Sequence, residues 1–372
     1  ALPISNANLL ASETVGDSNN PVLSGQTVRL FNSAGTQLAS TTTNASGAYS
    51  FSNLATSTTY YVAVDAPIAL TSVLYEQTYA SAGAGNGGVA GGAGSGVLCI
   101  GSDYASHTSS PTSDTNALNP STGACFGGRQ ASVADAGSTT LNTKEHVTRI
   151  VVDSLATAIT DVNFGFSYNV VTNVLDTAQQ GSLRQFVINA NTVSGANLMR
   201  FVPSLAQNAG SSSYWSISSA TSIPSTSIAI SDSNTTIDGT AYSNLDGTTV
   251  IDSNSGTMGY AGNVGLGTDG VLGSGDEAVM TKINRPELEM INNSAPAAPG
   301  FLVKAANTTI QNMAVLGFGN SSNTFGQVVA NSTILSTVSN INNLNVNNMV
   351  LGLKANASGL DSPGVTQGSG VE

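Results

Sequence analysis

The loop Asp269-Gly-Val-Leu-Gly-Ser-Gly-Asp276-Glu277 gathers three carboxylates on a backbone that glycine can bend tightly. Calcium takes oxygen ligands from flexible acidic loops of this kind. The spacing matches no EF-hand, and a solvated turn would use the same residues. Asp269, Asp276 and Glu277 therefore form a candidate calcium set beside that plainer reading. Asp232, Asp238, Asp246 and Asp252 recur at intervals that would spread them over neighbouring turns of a repetitive β-structure. Paired carboxylates with a basic partner cleave glycosidic bonds, but no basic residue follows them before Lys282. Aspartates at strand corners more often bond to turn backbone. A Ser/His/Asp triad is no better supported, because His107 and His146 both lie in or beside one long insertion. The expectation is a protein that is not an enzyme.

Cys99 and Cys125 are the only cysteines. They read as one disulfide closing a Gly/Ser-rich loop in an oxidising compartment, the alternative being two unrelated thiols. Two isolated cysteines in such a loop gain nothing from burial. A zinc site would need more ligands than the single nearby histidine, His107.

Composition excludes several classes. Only 9% of the 372 residues are charged while 40% are hydrophobic, against about a quarter charged in ordinary soluble domains. Solubility must rest on Ser, Thr, Asn and Gly, as in secreted β-proteins. The net charge is −12 and the ten basic residues form no run. Nucleic-acid binding, which needs clustered cations, is excluded. No window approaches eighteen consecutive apolar residues, so no membrane span is expected. Ala1-Leu2-Pro3 fits an end left by processing after a small residue.

The elements that must position these residues fall into two groups. Thr27 to Phe31, Gln37 to Thr43, Ala48 to Phe51 and Thr59 to Val64 are short strands broken by Asn, Ser and Gly, the pattern of a β-sandwich. A glycine-rich insertion spans about 80–145. Val147 to Asp153 and Thr160 to Tyr168 then close the first sheet, and residues 1–168 form the first domain. From Val170 the character changes. Leu183, Phe186, Val187 and Ala190 stand at helical spacing. Strands follow at Leu198 to Val202, Trp215 to Ile217, Ile228 to Ile230, Thr235 to Ile237, Thr249 to Ile251, Glu287 to Ile291, Gly300 to Val303, Thr308 to Val315 and Ile341 to Leu353. Short apolar strands separated by Asn, Gly and Ser corners are the pattern of stacked rungs. Ile310-Gln-Asn-Met-Ala-Val315 and Ile341-Asn-Asn-Leu-Asn-Val346 form the best internal repeat, and the run from Asn340 to Asn348 predicts polar ladders at corners. Residues 169–372 form the second domain.

Two family resemblances sharpen this. TVRLFNSAGTQLASTTTNASGAYSFSNL, followed by YYVAV, resembles the SdrD B-type, transthyretin-like modules of bacterial surface proteins over Gly25 to Val64. Their opening strand with its calcium loop has no counterpart before Gly25, where only Glu13 and Asp17 are acidic, so calcium is not carried over. GSLRQFVINAN (Gly181 to Asn191), with Ile223-Pro224 and Thr236-Ile-Asp-Gly-Thr240, is similar to the modules that open right-handed parallel β-helices in large bacterial and archaeal surface proteins. The resemblances imply an all-β fold, a sandwich followed by a short right-handed parallel β-helix, and a secreted, extracellular or cell-surface location.

The function expected is that of an extracellular structural protein, the repeating subunit of a surface filament, sheath or layer. Its partner would be itself, through β-strand addition. The first twenty residues, with Ile4, Leu9, Leu10 and Val15, are the expected donor strand. The alternative is an adhesin or glycan-binding surface module that touches cell-surface glycans, with a polysaccharide-active enzyme behind it. Calcium is the one cofactor the sequence offers. Tyr214-Trp215, the dense aromatic pair of the second domain, is assigned to core packing.

Overall fold

The computed structural model describes residues 22–65, 68–70, 72–80, 84–85, 96–99, 123–129, 131, 139–152, 154, 159–160, 162–211, 213–219, 228–293, 299–318, 328–330, 341–352 and 355–356. The described residues are all-β apart from one helix and a 3-10 turn at Leu141–Thr143.

The first module is a β-sandwich. Strands β1 (Thr27–Asn32), β2 (Gln37–Thr42), β3 (Thr58–Val64), β5 (Gly96–Leu98) and β6 (His146–Val152) form one antiparallel sheet in the order β2-β1-β3-β6-β5. Strand β4 (Glu76–Ala80) pairs with β7 (Phe164–Ser167) in a second. Val28, Leu30, Val62, Val64, Phe164 and Phe166 meet between them, all buried. Alternation along β1 and β3 supplies the inward set, since successive side chains in a strand point to opposite faces.

Three expectations are corrected here. Ala48 to Phe51 is not a strand. Its backbone is diverted by Asn44, whose side chain accepts from the Ser46 and Ala48 amides, and Tyr49 instead donates to the Val162 carbonyl at 2.7 Å. Strand β6 does not close the sheet but sits inside it, between β3 and β5. The insertion also supplies β5 itself, which periodicity could not separate from its glycine-rich surroundings.

The second module begins with β8 (Val170–Val171) and helix α1 (Leu183–Thr192). Strands β9 (Asn197–Leu198), β10 (Arg200–Phe201), β11 (Trp215–Ser219), β12 (Ile228–Ile230) and β13 (Thr235–Asp238) follow. An arm then leaves, built of two short ladders: β14 (Thr257–Met258) with β17 (Ile283–Asn284), and β15 (Gly262–Val264) with β16 (Ala278–Met280). The chain returns through β18 (Leu288–Asn292), β19 (Phe301–Val303), β20 (Thr309–Gln311), β21 (Met313–Leu316), β22 (Val328–Ala330), β23 (Asn345–Asn347) and β24 (Val350–Leu351).

These strands stack in three parallel sheets, ordered β9-β13-β20-β23, β11-β18-β21-β24 and β12-β19-β22. Register places like on like: Ile237 on Ile310 on Val346, Ile217 on Met290 on Val315 on Leu351, and Ile228 on Phe301. Their inward side chains make one apolar column with Leu183, Phe186 and Phe201. Tyr214 and Trp215 are buried as expected.

At one corner Asn234, Asn307 and Asn343 adopt positive φ, and each lower amide donates to the one above at 3.0 and 2.8 Å, across separations of 73 and 36 residues. The longer interval contains the arm. Asn348 donates to Asn312 in a second such ladder at 3.2 Å. The polar ladders expected from the asparagine run are therefore present, but the repeat needs correcting. Ile310 stacks on Val346, not on Ile341. The aligned units are Asn234-x-x-Ile237, Asn307-x-x-Ile310 and Asn343-x-x-Val346, so the asparagine that turns the corner sets the frame. Asn312 also breaks the long strand expected from Thr308 to Val315. Thr249 to Ile251 makes only an isolated bridge, between Tyr242 and Val250.

Candidate functional site

Two polar places stand out, and the first is the junction between the modules. Strand β4 reads Glu-Gln-Thr-Tyr-Ala, and Glu76, Gln77 and Thr78 are all buried, as are Glu145 and His146 at the start of β6. Burying such groups is tolerated only where hydrogen bonds replace water. The second module supplies many of those bonds. Thr172 donates its hydroxyl to Glu76 at 3.0 Å, and Gln180 donates to the Tyr75 carbonyl at 2.9 Å. The same Gln180 amide reaches His146 Nε2 at 3.1 Å, while His146 Nδ1 lies 2.9 Å from Gln77 Oε1. An amide N–H can only donate, so Nε2 is the acceptor and Nδ1 carries the proton. Burial, reinforced by the Lys144 ammonium, lowers the His146 pKa to about 3 despite the nearby Asp65 carboxylate.

The Gly-Ser-Leu-Arg-Gln motif is the plug of this junction. Gly181 has φ +69, and a Cβ there would stand 2.1 Å from Thr172 Oγ1 and 2.4 Å from Glu76 Oε2. Ser182 caps α1 by accepting from the Gln185 amide at 3.1 Å. Leu183 enters the apolar column. Arg184 closes the preceding turn on Asp176 at 2.8 Å. Gln185 donates to the Ser72 carbonyl at 2.8 Å, and one turn later Asn189 both donates to the Leu74 carbonyl and accepts from the Leu74 amide. One face of α1 is thus polar and buried because it binds sandwich backbone. Periodicity found the helix from its apolar face. The signal for the other face was the pair Gln185 and Asn189, four residues apart on either side of the apolar run Phe186 to Ile188.

Glu76, Glu145 and His146 bring one ligand atom each within 4.8 Å of one another, a spacing that could hold a metal. The donor set argues otherwise. Both His146 nitrogens are in hydrogen bonds, and the two Glu76 oxygens accept from the Gln77 amide and Thr172. The cluster is the polar filling of the junction. Below it, Asp65 accepts a two-pronged contact from Arg29 at 2.8 Å and a bond from the buried Lys144 ammonium. Burial would raise the Asp65 carboxyl, but the hydrogen bonds from Arg29 and Lys144 outweigh it and hold it below its usual range.

The candidate calcium residues lie together on the arm. Asp276 accepts from the Thr268 amide and hydroxyl and from Ser274, and burial is too slight to oppose these bonds, so its pKa falls to about 2. Glu277 accepts from the Gly273, Ser274 and Gly275 amides, and Asp269 from Val271. Their oxygens are engaged in closing their own loop. Asp238 and Asp246 likewise bond turn amides, at Thr240 and at Thr248 and Thr249, and Asp232 accepts from Asn197. These acids are not brought into one site. Cys99 and Cys125 are bridged, 26 residues apart, and pack with Ala80. Ile4, Leu9, Leu10 and Val15 lie outside the described residues, as does His107.

The second polar place is a groove of about 500 Å3 where the arm leaves the stacked sheets. Its floor is the corner formed by Gly239, Asn312 and Asn348, and its wall includes Asp252, Lys282, Arg285 and Glu287. Glu287 is buried and accepts from Ser253 and from the Asn254 amide at 2.7 and 2.8 Å. Burial raises its pKa, and the Asp252 charge adds to that against the pull of those hydrogen bonds. Sequence reasoning saw Asp252 and Lys282 as separate. The arm folds back and brings them to one cleft.

No helix among the described residues is long and apolar enough to cross a membrane. Neither the curated proteins nor the solved structures include a match to this chain. The family model of the SdrD B-like domain matches residues 11–93, reaching upstream of Gly25 and so including the segment where the resemblance had no counterpart for the module's opening strand.

Proposed function

We propose that this chain is an extracellular structural subunit of a cell-surface filament, sheath or layer. In this reading an SdrD B-like sandwich is fused to a short right-handed parallel β-helix whose rungs are the three stacked parallel sheets. One observation carries it: the modules meet through a buried, hydrogen-bonded junction and not a flexible linker. A tether needs only reach. A load-bearing subunit needs its two ends fixed to each other, and Gln180, Gln185, Asn189 and Thr172 do that through bonds to Tyr75, Ser72, Leu74 and Glu76. The SdrD B-like match and the disulfide support a surface location.

Copies join by strand addition at a sandwich edge, where main-chain hydrogen bonds supply the force. The family match begins at residue 11 and so includes Val15; in this reading Ile4, Leu9 and Leu10, ahead of it, are the donor segment. No catalysis is assigned, since Asp232, Asp238 and Asp246 are engaged at corners and turns. Electron microscopy of the purified native protein tests the reading. Regular filaments or sheets are expected, lost on removing residues 1–10 with the monomer still folded. Monodisperse monomers at every concentration would refute it.

A second reading, an adhesin or glycan-binding module, is favoured by the corner groove, which gathers charged side chains in a chain that has few.

A further inference from the structure

Most of the described charges in this chain are already committed. Arg29 and Lys144 hold Asp65, Arg184 holds Asp176, and Arg200 lies 4.3 Å over the Tyr242 ring. The corner groove differs. Asp252, Lys282 and Arg285 line it together, and among the described residues none of the three is ion-paired. Arg285 is the sharpest case. A guanidinium carries five donors in a fixed fork. Among the described residues the Arg285 side chain makes one hydrogen bond, from Nη1 to the Ser255 carbonyl at 3.4 Å, and its Nε is buried without an acceptor. Leaving a buried cationic donor unmade is costly, so the position makes sense when something else accepts.

From this geometry we infer that the corner groove binds a saccharide bearing a carboxylate, a hexuronate unit of a glycan, with Arg285 and Lys282 on its carboxylate. Arginine matches a carboxylate through two parallel N–H bonds. The same groove offers acceptors and donors suited to hydroxyls. Asp252 is an exposed carboxylate that makes no hydrogen bond among the described residues, and Asn348 uses only its amide N–H, toward Asn312. Val250, 59% exposed, and Ile283 give an apolar edge for the C–H face of a sugar ring. Asp252 and Glu287 line the same groove, so a simple anion meets carboxylates there as well as cations. A ligand that presents hydroxyls to Asp252 and a carboxylate to Arg285 satisfies both signs. The chain's net charge of −12 repels long polyanions, but at about 0.15 M salt that repulsion is screened beyond about 8 Å, and short oligomers enter. The inference rests on the glycan-binding reading and narrows it to one chemical class.

The test is calorimetric titration of the full chain with trigalacturonate, a hyaluronate tetrasaccharide, maltotriose and acetate. Binding of at least one uronate oligomer is expected, with maltotriose and acetate at least tenfold weaker. Arg285→Gln should weaken the uronate by about tenfold or more, the usual value of one charge-assisted contact. Lys282→Gln, at an exposed position where folding is not at risk, should weaken it less. Equal affinity for maltotriose, unaffected by Arg285→Gln, would overturn the carboxylate assignment while leaving glycan binding intact. Equal affinity for acetate would overturn the saccharide. No binding by any probe would overturn both the inference and the glycan-binding reading.

Discussion

His146 holds the junction in its neutral form, and lowering the pH sets that form against the ordinary basicity of imidazole. Its folded pKa, about 3, lies below the ordinary 6.5 because burial penalises the cation. Lys144 adds to the penalty and Asp65 opposes it, with Glu76 and Glu145 close by. The sign follows from proton uptake. Below pH 6.5 the unfolded chain binds a proton at this position that the folded chain refuses, so the unfolded state gains. The contribution of the neutral ring is complete above 6.5, falls by about 1.4 kcal/mol per pH unit beneath it, and levels off near pH 3 after a loss on the order of 5 kcal/mol. In denaturant unfolding between about pH 5 and 6.5 ordinary carboxylates titrate lower, and comparison with a non-titrating variant cancels the share of Glu287, whose pKa is raised. The comparison is His146→Gln, which can keep a donor and an acceptor in place without titrating. Wild type should lose stability across that window while the variant stays nearly level. Parallel curves would refute the assignment, as would a His146 NMR signal that titrates near 6.5 in the folded protein.

Four further outcomes follow from the same geometry. Gly181→Ala places a Cβ 2.1 Å from Thr172 Oγ1 at a positive φ, and should cost on the order of 3 kcal/mol in denaturant unfolding. Asp65→Asn leaves the fully buried Lys144 ammonium without its carboxylate, a loss of about 3 kcal/mol that Lys144→Met on the same background should partly recover. Reducing the bridge between Cys99 and Cys125 frees a loop of 26 residues, and should lower sandwich stability by about 3 kcal/mol on the chain-entropy estimate, visible as a lower thermal midpoint with dithiothreitol. Asn307→Ala loses two amide bonds and strains a residue at φ 54. It should cost about 2 kcal/mol, and Asn307→Gly, which relieves the strain alone, about half that.

How much of this was legible depended on which physical signal wrote it. Alternation gave β1 and β3, helical spacing gave α1, and three-residue apolar runs such as Ile228–Ile230 gave strands of the parallel sheets almost to the residue. The failures share a cause. Asn44 and Asn312 end or divert strands through side-chain bonds and left-handed backbone, which a count of apolar residues does not register. The internal repeat was misaligned because it was framed on Ile341, whereas the structural frame is Asn343 at the corner. The junction was less legible still, because its parts come from Glu76, His146 and Gln180, which only the tertiary fold assembles. The groove needed the arm to turn back on itself, so that Asp252 and Arg285, far apart in local pattern, became neighbours.

Where the few charges went links the fold to the proposed role. A surface subunit that packs against copies of itself repeats every exposed charge at each interface, and like charges brought together cost energy. This chain keeps several of its charges inside: Arg129, Lys144, Glu76, Glu145 and Glu289 are all buried. The surface left to Ser, Thr and Asn can bond to a neighbour's backbone in either sense, as donor or acceptor. The arm reverses that economy, exposing Tyr260, Leu272 and Val279 beside the ionised Asp276. A structural subunit and a glycan-binding groove are therefore compatible in one molecule, because the stacked sheets need an uncharged exterior while the corner where the arm leaves them can concentrate the unpaired charges.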